Sequence, residues 1–263
     1  MPKFVLFIFL VFISYSLQAQ TYEFGAGAGA AGYMGDLNIS NPLKVSGPEA
    51  SLFFKYNFDG YWGARLNFTL GQISGADSTS SSTQQRQRNL SFTTNLSEVS
   101  LVGEFNFFKY IPEIGKNRFT PYVYFGVAIA GYNPTTIYQG TKYSLRDLET
   151  EGEKKPYPSS TFSIPYGVGV RYNILGRLTL GAEIGYRNSN TDYLDDVSGY
   201  YPDKNKLSSP VSVALSDRSG EKTGVYVGSP GTQRGDLAPR DTYFFTQITI
   251  SYTIITRKCY FEN

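Results

Sequence analysis

Alternation is the feature that most constrains this chain. Eight stretches of roughly ten residues switch between apolar or aromatic and small or polar side chains at every position. Side chains of a strand point to opposite faces with a period of two. Such stretches, rich in aromatics and joined by turns that are short and long in turn, are the signature of an outer-membrane β-barrel. A bilayer admits only helices and closed barrels, because each satisfies all of its backbone N–H and C=O groups internally. The clearest segments are Trp62 to Gly71, Glu98 to Phe107, Ile164 to Ile174, Leu178 to Arg187 and Tyr243 to Ile254. Tyr22 to Tyr33, Pro48 to Phe58 and Phe119 to Tyr132 complete the set. The expected fold is all-β: an eight-stranded antiparallel up-and-down transmembrane β-barrel with long outer loops.

Ahead of the strands, Lys3 precedes the ten-residue apolar run Phe4 to Ile13. That run is too short to span a bilayer and reads as a secretory signal peptide over residues 1–19, cut after Ala19. The barrel is then expected over 20–256 and a periplasmic tail over 257–263. Mean hydropathy is −0.27, compatible with a barrel in which only every second strand residue faces lipid. A net charge of +2 without a basic stripe excludes an electrostatic footprint for nucleic acid. No His is present, which removes the commonest general base and transition-metal ligand and leaves no Ser/His pair for a lumen- or loop-based hydrolase. No catalytic, cofactor-binding or metal residue is assigned from the sequence.

Connection lengths set the orientation. Asp59-Gly60 and Leu175-Gly176 read as tight turns and Lys109 to Arg118 as a medium one. Met34 to Gly47, Ser74 to Asn95, Asn133 to Thr161 and Asn188 to Arg240 are long. Short turns are periplasmic in outer-membrane barrels, so both termini are expected there. The alternation places Arg65, Glu98, Glu104, Arg171, Glu183 and Arg187 in the lumen. Three acids and three bases inside a narrow cylinder read as a neutralising ion-pair plug rather than an ion pathway.

The remaining motifs take plain readings. Gly25, Gly27 and Gly29 are small lumen-facing residues, not a dinucleotide fingerprint, since no helix follows them. Ser78 to Gln87 reads as a flexible loop tip. Arg234-Gly235-Asp236 matches an adhesion tripeptide that recurs by chance. Asp192, Asp195, Asp196 and Asp203 cluster in one loop without the spacing of a known Ca²⁺ loop, so backbone hydrogen bonds and basic neighbours are expected to order them.

The loop segment TDYLDDVSGYY, with Asp192, Tyr193, Leu194, Asp195 and Asp196, resembles the PorG family of outer-membrane barrels from the type IX secretion system of Bacteroidota. GYMGDL (Gly32 to Leu37), RNLSF (Arg88 to Phe92), LETEG (Leu148 to Gly152) and QRGD (Gln233 to Asp236) agree with it, as do several strand segments. The resemblance implies a non-enzymatic barrel that attaches a periplasmic ring of a lipoprotein and its partner (PorK and PorN) to the outer membrane. That machine exports cargo and in some species supports gliding motility. The competing expectation is a passive structural or adhesion barrel acting through its surface loops. Cys259, flanked by Arg257 and Lys258, lies past the last strand and is the chain's only cysteine. An intermolecular disulfide to the ring lipoprotein is expected there, the basic neighbours favouring the thiolate.

Overall fold

The computed structural model describes residues 21–255. The expected signal peptide, and the tail with Arg257, Lys258 and Cys259, lie outside the described residues. Eight long strands form the wall: β1 (Thr21–Met34), β2 (Val45–Asn57), β3 (Trp62–Ala76), β4 (Ser91–Asn106), β5 (Phe119–Tyr138), β7 (Ser160–Leu175), β8 (Leu178–Ser189) and β9 (Thr242–Ile255). The short strand β6 (Thr141–Ser144) pairs with the far end of β5 inside a loop. Neighbours in sequence pair antiparallel around the sheet, and β1 pairs with β9 to close the cylinder. Full closure leaves the wall without an edge.

Thr21 lies opposite both Asn57 and Ile255, so the two ends of the described chain sit at one end of the barrel. The brief connections 58–61 and 176–177 are at that end too. Asp59 closes the first by accepting hydrogen bonds at 2.7 Å from the backbone N–H groups of Tyr61 and Trp62. The second turns on Gly176 and Arg177, one residue later than the alternation implies, because Gly176 takes the left-handed φ of +51°.

Outward faces carry Leu66, Phe68, Leu101, Val127, Ile129 and Ile250, all exposed. Without lipid around it, such a band would be an untenable surface for a monomer. Aromatic rings border the band at both ends. Trp62 and Phe105 pack at 4.8 Å near the short turns, while Tyr166, Tyr186 and Phe244 pack near the loops. Amphipathic rings of this kind suit the two membrane–water boundaries.

Four strands reach further toward the loops than alternation predicts: β3 and β5 end later, and β4 and β7 begin earlier. The reason is visible along β4, whose sidedness changes partway. From Glu98 to Asn106 the inward residues are mostly polar (Glu98, Ser100, Glu104, Asn106) and the outward ones apolar. Toward the loops the inward residues Leu96 and Phe92 are apolar and buried, while outward Asn95 and Ser97 are polar and exposed. Below that switch the barrel is built for lipid outside; above it, for water outside.

Those inward apolar residues belong to a hydrophobic core at the loop end. Ala31, Ile73, Phe92, Leu96, Tyr132 and Phe245 from the strands meet Leu37, Leu90, Leu194, Val197 and Leu215 from the loops. The four long loops therefore pack into one cap over the barrel mouth. Residues expected as a flexible tip instead form a helix, Thr83–Arg88, started by the Ser82 hydroxyl and anchored by the buried Arg88.

Candidate functional site

Two layers stack inside the cylinder. The lower is a charged lumen. Arg65, Glu98, Glu104, Arg171, Glu183 and Arg187 all point inward and are buried. Glu104 sits at its centre, 2.7 Å from Lys55 Nζ, 2.9 Å from Arg65 Nε and 2.6 Å from Arg171 Nη2. Arg65 also reaches Glu183 at 2.8 Å, and Glu183 accepts hydrogen bonds from the Tyr122 hydroxyl and the Gln247 amide. Arg187 pairs with Glu98 at 3.2 Å, and the Tyr243 hydroxyl donates to Glu98 at 2.7 Å. Aromatic faces complete the packing: Arg171 lies 3.7 Å from the Tyr122 ring centre and Arg187 4.4 Å from that of Phe245.

Three further charges line the lumen that the sequence reading did not name: Glu23, Glu49 and Lys55. The signal was available, because Glu23 alternates with Tyr22 and Phe24, and Lys55 with Phe54 and Tyr56. Five acids and four bases thus face the interior among the described residues. The glycines of β1 make room for their neighbours. A Cβ on Gly27 would come within 2.0 Å of Gln247 Oε1, the side chain that supports Glu183. With its charges interlocked and gaps filled by rings, the lumen is a solid plug.

The upper layer is the cap, and it gathers the loop segments that carry the family resemblance. Arg88 forks onto Asp77 with two 2.8 Å bonds and donates to the carbonyls of Asp36 and Arg234. Arg234 donates to Glu151 Oε1 and the Asp196 carbonyl, both at 2.8 Å, and to the Ser216 carbonyl. Its guanidinium is spent inside the protein, so the Arg-Gly-Asp tripeptide does not present its arginine to a receptor. Glu151 in turn accepts from the backbone of Ser198 and Gly199, and Asp196 accepts from Thr150 and, at 2.7 Å, from the Tyr157 hydroxyl. Leu194 is fully buried; its N–H donates to Asp241 and its carbonyl accepts from Thr94. Tyr193 stacks on Tyr157 at 4.5 Å.

Hydrogen bonds and basic partners order part of the acidic loop, as with Asp196, with Asp217 against Lys204 at 2.7 Å, and with Asp203 against Lys206. Asp192 and Asp195 differ. Asp195 accepts from Tyr33 and from the Val197 backbone, and Asp192 lies beside Asp36 and Asp241, which come from other parts of the chain. Burial, reinforced by the neighbouring carboxylates, pushes Asp36 and Asp192 up to about 7 and holds Asp195 and Asp241 well above the carboxylate range. No helix among the described residues is long and apolar enough to cross a membrane.

A closed cylinder with a lipid-compatible band, aromatic borders and a polar plugged lumen defines the class: a small transmembrane β-barrel of the outer-membrane type. The family is set by residues 2–217, which match the model of a domain of unknown function, DUF6089. The chain belongs to that family. No curated protein matches it in sequence. Solved structures similar to it include the attachment invasion locus protein Ail of Yersinia pestis, at 12% identity and a TM-score of 0.43, covering 90% of this chain and 100% of that one. A major outer membrane protein from Thermus thermophilus has 14% identity, a TM-score of 0.43 and the same coverage. OprG from Pseudomonas aeruginosa has 10% identity and a TM-score of 0.41, covering 90% of this chain and 97% of that one.

Proposed function

We propose that this protein is a non-catalytic outer-membrane component of a type IX secretion machine, docking a periplasmic lipoprotein ring of the PorK/PorN kind that cargo export requires. One observation carries this reading. The segments GYMGDL, RNLSF, LETEG, TDYLDDVSG and QRGD, scattered through the sequence, supply the residues that interlock in the cap. The resemblance to PorG thus falls on one folded unit rather than on generic strand pattern. A solid lumen supports a docking role, since cargo has no path through this barrel.

In this reading the long loops face outward and both ends of the chain face the periplasm, where Cys259 meets the ring. Crosslinking pull-down of the tagged full-length protein from native membranes tests it. Co-recovery of a ring lipoprotein, and loss of cargo export on deletion, are expected. Recovery of surface ligands alone, with export intact, would replace it by the passive structural or adhesion barrel. Non-reducing gels of thiol-blocked membranes should also show a heavier species containing both proteins, absent in Cys259→Ser. A monomer whose Cys259 reacts fully with maleimide would leave the docking noncovalent.

A further inference from the structure

Asp36 follows β1, Asp192 opens the β8–β9 loop and Asp241 ends it, yet one carboxylate oxygen from each lies within 4.8 Å of the other two. Clustered acids are common, but two features here point to a ligand. Asp36 and Asp241 are each only 1% exposed, and each keeps one oxygen, Asp36 Oδ2 and Asp241 Oδ1, with no hydrogen-bond partner. Leaving a buried acceptor unmatched is costly, and more so when it is charged. The orphan oxygen of Asp241 is aimed at the turn that carries Asp36, because a Cβ on Gly35 would stand 1.9 Å from it. Only glycine lets the carboxylate approach so closely.

Bases that could neutralise the trio are committed elsewhere. Arg88 gives its fork to Asp77 and touches Asp36 only at the backbone carbonyl, and Arg234 serves Glu151. None of Asp36, Asp192, Asp195 and Asp241 makes a salt bridge among the described residues. The second oxygens of Asp36 and Asp241 are held in place by backbone N–H groups of Asp236 and Leu194, which fixes both carboxylates from behind.

We propose that Asp36, Asp192 and Asp241 bind a hard divalent cation, Ca²⁺, that staples the first loop to both ends of the last. Ca²⁺ takes oxygen ligands at about 2.3–2.6 Å, so ligands across one ion stand up to roughly 5 Å apart, which the trio satisfies. Nitrogen and sulfur donors, which would favour zinc or copper, are lacking in the trio. Ca²⁺ also tolerates irregular geometry better than Mg²⁺ does. A cleft of about 640 Å³, lined by Asp36, Ser82, Gln85, Arg234 and Asp236, offers a route from solvent.

Calorimetric titration of CaCl₂ into chelator-treated full-length protein in detergent tests the site. Binding with a Kd of roughly 10⁻⁴–10⁻³ M is expected, as in extracellular modules. Proteolysis within residues 190–241 should slow when Ca²⁺ is added. Asp241→Asn and Asp36→Asn should weaken binding by about tenfold or more, since ligand charge sets affinity. Asp203→Asn, an acid of the same loop outside the trio, should leave binding unchanged. Each protein must migrate as a folded barrel on unboiled gels. Folded wild type that binds no Ca²⁺ at millimolar concentration overturns the site, and so does equal binding by wild type and Asp241→Asn. Tighter binding of Mg²⁺ than of Ca²⁺ overturns the choice of ion. None of these outcomes depends on a secretion partner.

Discussion

At the scale of residues, this barrel spends its charges in pairs. Removing one member of a buried pair strands the other, at a cost of about 3–5 kcal/mol, whereas removing both is often nearly neutral. Arg187 and Glu98 suit the test because they form their own pair apart from the Glu104 network. Arg187→Met should lower the denaturant midpoint in detergent by an amount in that range. Adding Glu98→Gln should recover most of the loss, a coupling that a double-mutant cycle reads directly. Equal losses in the single and double variants would mean that the pair is not the stabilising unit. Arg234 belongs to the other layer, bridging Glu151, Asp196 and Ser216 in the cap. Arg234→Ala should open the cap to protease within residues 190–241 while the heat-modifiable gel shift of the barrel stays. If the gel shift is lost as well, cap and wall are one cooperative unit.

At the scale of elements, β4 shows what a sequence reveals and what it conceals. Its lower half is legible because Val99, Leu101 and Phe105 alternate with Glu98, Ser100 and Glu104, so lipid and lumen faces separate at a glance. Its upper half is not, because the same alternation continues with the meaning of the two faces exchanged. A reading that equates apolar with outward ends the strand at the switch. The reversal predicts position-dependent tolerance on one face of one strand. Leu101→Arg should cost about 2–4 kcal/mol, as for a basic residue at the bilayer midplane, and Asn95→Arg no more than about 1. Similar costs for both would place the switch elsewhere. The lumen was legible where alternation was crisp and missed at Glu23 and Lys55, in segments noted mainly for their outward residues. The carboxylate trio was out of reach for spacing rules, since Asp36 and Asp241 lie near opposite ends of the chain and only barrel closure makes them neighbours.

At the scale of the whole molecule, closure and plugging make predictions that no single residue does. Purified protein should migrate faster on unboiled gels than on boiled ones and give a strand-dominated circular dichroism spectrum. In planar bilayers it should show no steady conductance step; a stable open channel would contradict the plugged lumen. A tag inserted near Ser80 should be labelled on intact cells and one near Glu113 should not, because the first lies among the long loops and the second among the short turns. The opposite labelling would invert the orientation proposed above.

The overlong strands have a consequence for reach. A tilted strand crosses the hydrocarbon in about 9–11 residues, and β4 has 16. The surplus, at about 3.3 Å per residue and a tilt near 40°, amounts to a stand-off of roughly 15 Å. The wall is thus a pedestal that lifts the cap clear of the lipid headgroups. A partner that grips the cap works at that height and need not touch lipid, and shortening β3, β4, β5 and β7 together would lower the platform without altering what it displays.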